Sequence, residues 1–135
     1  MSSCHPLTLL SQSKMADLTN IRLSIKASDI GADLAKKYGF KDALSFFQFA
    51  MAYALSHHLG EIDFEKLDAE YDSFGSNYNV GSIKKSNLVT TAITHIIPNC
   101  ETPYRYIRVL MIYGTLKIKE RLEEGDAFAD IISPS

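Results

Sequence analysis

Long apolar runs, regularly spaced cysteines and catalytic signatures are what this 135-residue chain lacks. The longest apolar stretch, Ala43 to Leu55, is flanked closely by Lys41, His57 and His58, and falls short of the roughly 20 apolar residues a membrane span needs. No transmembrane helix is expected. The first residues, Met1 to Lys14, carry Leu7, Leu9 and Leu10 but no basic segment ahead of them, which makes a poor secretory signal. They read as a flexible leader over 1–19, with Met15 an alternative start. Cys4 and Cys100 have neither the spacing of a disulfide framework nor that of a zinc site, and a reducing cytoplasm is the compartment such usage points to. What is present, 46% hydrophobic and 22% charged residues, suits one globular domain able to bury a core without staples.

The net charge of −2 is unevenly spread. In residues 61–72 six acids stand against Lys66, leaving −5; in 120–130 five acids stand against Arg121, leaving −4. The remainder is basic: Lys26, Lys36, Lys37 and Lys41 in the first half, Lys84, Lys85, Arg105, Arg108, Lys117 and Lys119 in the second. A local basic face on an acidic protein can track phosphates, because salt screens each charge beyond about 8 Å. For any one of these lysines a solvated helix face is the commoner explanation.

Asn20 to Ile25 alternates, with Ile21, Leu23 and Ile25 on one face and Asn20, Arg22 and Ser24 on the other, the pattern of a half-buried strand. A helix is expected from Ser28 or Asp29 to Tyr38, with Ile30, Leu34 and Tyr38 in one stripe and Gly39 as its stop. Asp42 caps a second helix, Ala43 to His58, apolar on every side, which implies burial by its own fold and by a second subunit. Strand, helix, turn, buried helix is the order of ribbon-helix-helix DNA-binding modules. In those an unpaired strand demands a partner chain.

Asp63 opens a third helix through Phe64, Leu67 and Tyr71, followed by a loop over residues 74–81. Ser82 is the expected cap of a fourth helix, Ile83 to Ile97, ended by Pro98. Thr102-Pro103 starts a fifth that runs to Gly125, with Gly114 inside it as a kink or a close helix contact. The expected fold is mainly α: a ribbon-helix-helix-like N-terminal unit (short strand plus two helices) continued by about three further helices in one compact domain, 20–125, and a flexible tail, 126–135.

Ile21-Arg22-Leu23-Ser24, Leu34-Ala35-Lys36-Lys37-Tyr38-Gly39-Phe40, Ala54-Leu55-Ser56, Phe74-Gly75-Ser76-Asn77-Tyr78 and Tyr113-Gly114-Thr115-Leu116 occur in this order. Together they resemble the ordered blocks of the DndE family, small proteins of bacterial DNA phosphorothioation (DNA sulfur modification). The resemblance spans about residues 20–118. It departs from the family pattern at Ser76, where a second glycine is usual, at Thr115 in place of isoleucine, and at Lys36-Lys37, which keep charge but not guanidinium geometry. The resemblance implies a helical homo-oligomer, a tetramer, without chemistry or cofactor of its own. Such a protein binds duplex or nicked DNA through basic residues, beside other phosphorothioation proteins. By position Lys36 and Lys37 inherit that role, and Lys26 and Lys41 follow by proximity.

From the residues themselves, Arg22 is a candidate phosphate or guanine ligand, Lys84 and Lys85 form a candidate anion site, and Arg105 and Arg108 are secondary DNA-contact candidates, the interleaved Tyr104 and Tyr106 reading mostly as core. A P-loop reading fails, since Gly75, Gly81 and Lys84 have the wrong spacing. Adjacent His57 and His58 point about 100° apart on a helix and do not chelate one ion easily. His95 and Cys100 lack the third group that a nucleophile needs. No catalytic or metal residue is assigned. The function expected is a non-enzymatic, cytoplasmic DNA-binding accessory subunit; the alternatives are a ribbon-helix-helix regulator binding an operator and an oligomeric interaction scaffold.

Overall fold

The first strand, β1 (Asn20–Arg22), is shorter than its alternation predicts because Ser24 stops it. A computed structural model of the chain describes residues 16–96 and 100–132, so expectations on residues 1–15, on Ile97 and Pro98, and on 133–135 lie outside the described residues. Ser24 is extended, and its Oγ accepts from Ala27 N at 3.2 Å, which starts helix α1 (Ile25–Lys37) ahead of the expected Ser28 or Asp29. The register change is visible in burial: Ile21 and Leu23 are 0% exposed, whereas Ile25 is 48% exposed on the first helical turn. Ser28 is left free for another task, and its Oγ accepts from Ser76 N at 2.7 Å. At the other end Gly39 adopts φ +76°, while Phe40 N donates to Ala35 O (2.9 Å) and Gly39 N to Lys36 O (3.4 Å), the paired bonds of a Schellman stop.

Helix α2 (Ala43–His57) starts at Asp42, whose carboxylate accepts from Ser45 N at 2.8 Å. A 3₁₀ turn (Leu59–Glu61) follows, then α3 (Phe64–Glu70), capped by Asp63. The expected loop at 74–81 contains a second strand, β2 (Asn77–Asn79), antiparallel to β1 with Asn20 opposite Asn79, Ile21 opposite Tyr78 and Arg22 opposite Asn77. Val80 N to Thr19 O (3.0 Å) and Leu23 N to Ser76 O (2.8 Å) bracket this ladder. Antiparallel alternation therefore turns the main-chain groups of Asn20 and Arg22 toward the opposite edge. There Arg108 Nε donates to Arg22 O at 2.8 Å. One edge of β1 is thus paired and the other is met by Arg108, all within one chain, which corrects the expectation that β1 needs a partner subunit.

The single fourth helix expected from Ser82 is broken. Asn79 caps α4 (Val80–Ile83) and Ser86 caps α5 (Asn87–Thr91), which continues into a π turn (Ala92–Ile96). Asn79 Oδ1 accepts from Gly81 N and Ser86 Oγ from Val89 N, so two helix starts lie seven residues apart where one was expected, and Lys84-Lys85 fall in the gap between them.

Thr102-Pro103 does begin the long helix α6 (Pro103–Glu123), but a remote residue satisfies its first amides. Asp17 Oδ2 accepts from Tyr104 N (3.1 Å) and its Oδ1 from Arg105 N (3.2 Å), while Arg105 Nε donates to Ala16 O (2.9 Å). The leader expected over 1–19 is therefore tied to the fold from Ala16 onward. Asp17→Ala is expected to lower stability by about 1 kcal/mol, the usual cost of a lost helix cap, read as a lower urea midpoint with unchanged slope.

The expected tail also forms structure. After Gly125 (φ +105°), α7 (Phe128–Ile132) returns to the core: Phe128 stacks on Tyr38 at 4.2 Å and packs on Phe40 and Phe49. The all-round apolarity of α2 is met by α1, α6 and α7, so cover by a second subunit is not what its burial requires. Where α2 crosses α6, Gly114 lies against the Ala50 backbone with no space for a Cβ. The architecture is mainly α: β1, then α1 and α2, then further helices packed in one compact domain with a two-stranded antiparallel sheet.

Candidate nucleic-acid interface

Directly opposed residues in an antiparallel ladder share a face. The register accordingly puts Ile21 and Tyr78 inward, with Tyr78 6.1 Å from the Phe47 ring, and Asn20, Arg22, Asn77 and Asn79 outward. All four outward residues are exposed, and none is acidic. Sequence alone shows half of this face, Asn20 and Arg22. The asparagines of β2 escape a sequence reading because strands rarely contain them, and only Tyr78 hints at alternation.

Arg22 makes no ion pair among the described residues, nor do Lys26, Lys36, Lys37, Lys41, Lys84 and Lys85, all of which are exposed. They do not form one patch. Lys26 follows β1 in the first turn of α1, and Lys84-Lys85 follow β2 at the end of α4, so these three flank the ribbon from opposite ends. Lys36, Lys37 and Lys41 gather at the far end of α1, about 16 Å along the axis from Lys26 to Lys37 at 1.5 Å per residue. Exposed Asp29 and Asp33 lie between them on nearly the same helix face, which dilutes the basic character there. Lys37 Nζ also sits 5.6 Å from the centroid of the Tyr38 ring.

Arg108 turns inward, which corrects the expectation that it contacts DNA, while Arg105, 25% exposed, is tied to Ala16 and Asp68. The Arg108 side chain is 4% exposed. Its Nη1 donates to Asp68 Oδ1 (2.9 Å) and Asp68 O (3.2 Å); its Nη2 donates to Asp72 O (2.6 Å), Tyr71 O (3.0 Å) and Ser73 Oγ (3.1 Å). Arg105 Nη1 shares Asp68, at 3.2 Å from Oδ2. Tyr106, 5% exposed, stacks on Phe64 at 4.3 Å and belongs to the core. A lone arginine within the apolar run Tyr106 to Ile112 was the available signal for a buried, fully bonded guanidinium. A cavity of about 110 Å³ remains beside this hub, lined by Asn20, Arg22, Ser73 and the two arginines among others.

No family model, curated protein or solved structure matches this chain. Among the described residues no three His, Cys, Asp or Glu side chains are grouped to hold a metal ion. His57 Nδ1 lies 3.3 Å from Tyr53 O, and His58 Nδ1 lies 3.0 Å from Glu61 Oε2. The hydroxyl of Tyr113 donates to the same Glu61 carboxylate, and this bond, with His58 second, holds the Glu61 carboxyl below its usual range. Cys100 is not a free thiol, so it supplies no thiolate nucleophile. Among the described residues no helix is long and apolar enough to cross a membrane.

Proposed function

We propose that the protein is a non-enzymatic DNA-binding accessory subunit that holds the DNA backbone for partner enzymes. The observation that carries this reading is the outward face of the intramolecular ribbon, where Arg22 and three asparagines stand without a carboxylate, between Lys26 at one end and Lys84-Lys85 at the other. Antiparallel ribbons fit a major groove, and amide and guanidinium groups suit phosphate oxygens and base edges alike. With only three residues per strand, backbone contact outweighs base reading, so Arg22 is assigned to phosphate first. Lys36, Lys37 and Lys41 rank behind the ribbon because Asp29 and Asp33 accompany them.

The resemblance of the five ordered blocks to the DndE family extends the proposal to a phosphorothioation system, with other proteins of that system as partners and a tetramer as the working form. Leu88 and Ile132, 48% and 51% exposed, are apolar surface that assembly would cover. A ribbon-helix-helix regulator is less well supported, since a ribbon shared between subunits needs a free β1 edge.

Fluorescence anisotropy on random-sequence duplex at two salt concentrations tests the reading. The variant Arg22→Ala/Lys84→Ala/Lys85→Ala is expected to bind at least about tenfold more weakly at moderate salt. Its log-log salt slope should be shallower by about 0.9 for each phosphate that is no longer neutralised. Wild-type protein that fails to bind duplex at low salt, or a triple variant that binds as tightly as wild type, ends the proposal. Strong preference for one palindrome would favour the regulator instead.

A further inference from the structure

Phe74 is 77% exposed, the most exposed large apolar side chain among the described residues, yet the loop that bears it is pinned. Asp72 Oδ1 accepts from both Phe74 N and Ile25 N at 3.0 Å, Gly75 N donates to Leu23 O at 2.8 Å, and Ser76 N donates to Ser28 Oγ at 2.7 Å. Gly75 is packed so closely on Ser28 Oγ and Ser24 O that a Cβ there would overlap both. The ring is therefore held out from a fixed backbone rather than carried on a mobile tip, and the entropy of ordering its main chain is already spent. Its surroundings are net basic: Ser73, next in sequence, lines the same cavity as Arg22, Arg105, Arg108 and Asp68, and Lys26 follows Ile25 on α1, against the one further carboxylate of Asp72.

The size of this feature selects its occupant. One aromatic side chain supplies roughly 150–250 Å², far short of the roughly 800 Å² per partner of a stable protein interface. It matches one nucleic-acid base, and Arg22, on the cavity that Ser73 also lines, matches the phosphate that accompanies a base. We propose that Phe74 is a stacking platform for an unpaired base, with Arg22 on the neighbouring phosphate. This rests on the DNA reading above and adds a preference for unpaired over fully paired DNA.

The test compares oligothymidylate with a fully paired duplex of equal length, using wild type, Phe74→Leu, Phe74→Tyr and Phe74→Trp. Phe74→Leu is expected to weaken oligothymidylate binding roughly 5- to 150-fold while leaving duplex affinity and the salt slope unchanged, and Phe74→Tyr is expected to retain binding. The chain has no tryptophan, so Phe74→Trp places a single reporter whose emission should be quenched by oligothymidylate and not by duplex. Duplex binding intact with Phe74→Leu equal to wild type on oligothymidylate overturns this inference alone. Wild type that binds neither DNA overturns it together with the DNA reading. Unquenched Phe74→Trp, or a Phe74→Leu variant whose sedimentation shows a smaller assembly, also overturns it, the latter by marking a protein contact.

Discussion

Arg108→Ala is expected to lower the free energy of unfolding by about 3–5 kcal/mol, the cost of breaking a buried ion pair and orphaning its partners. The guanidinium serves six acceptors drawn from three separate parts of the chain: Arg22 O on β1, Asp68 on α3, and the Tyr71, Asp72 and Ser73 groups that lead toward β2. Truncation leaves three loop and strand carbonyls without a donor, and leaves the Asp68 carboxylate, 17% exposed, facing Arg105 alone. Arg108→Lys keeps the charge but offers three donors on a flexible stem in place of a planar fork, and should recover less than half of the loss. Urea unfolding with an unchanged slope reads both variants. A loss under about 1 kcal/mol for Arg108→Ala would mean that water reaches these carbonyls and that the hub does not hold β1.

Gly114→Ala is expected to cost on the order of 3 kcal/mol, the upper end of core overpacking. In an exposed helix the same change would gain about 1 kcal/mol of helix propensity. Here the added methyl meets the carbonyl of Ala50, a backbone group inside α2 that cannot rotate away. The two helices must separate or shear, and each response opens the packing of Met51, Leu110 and Met111, all 0% exposed. Thermal melts of Gly114→Ala beside Gly60→Ala isolate the effect, because nothing lies within 4 Å of a Cβ at Gly60. Equal melting temperatures for the two variants would refute close helix contact as the reason for the glycine.

Local signals are legible in the sequence and long-range ones are not. Asp42, Asp63, Gly39 and Thr102-Pro103 mark helix ends with chemistry confined to a few neighbouring residues, and the structure has helix ends at each. Ser24 is hidden because the apparent alternation through Ile25 outweighs a serine that can cap. Asp17, Arg105 and Arg108 depend on partners at least 35 residues away, between positions whose own neighbourhoods give no hint of the pairing. Of the candidate interface, Arg22, Lys26, Lys84 and Lys85 are legible as charge, but their arrangement around a ribbon is not, because β2 is three residues long and composed of poor strand formers. Lys36 and Lys37 stand out in the sequence as a basic pair; Asp29 and Asp33 matter only once the helix face is drawn.

The closure of β1 by β2 and Arg108 also bears on how the chain comes to fold. Its N-terminal strand and first two helices look like a self-contained module, yet the strand's ladder waits for Asn77–Asn79 and its other edge for Arg108. During synthesis the apolar sides of α2 therefore stay uncovered until α6 has left the ribosome, an interval in which exposed hydrophobic surface and an unpaired edge invite association with other nascent chains. Vectorial growth thus places the vulnerable period early and the stabilising residues late.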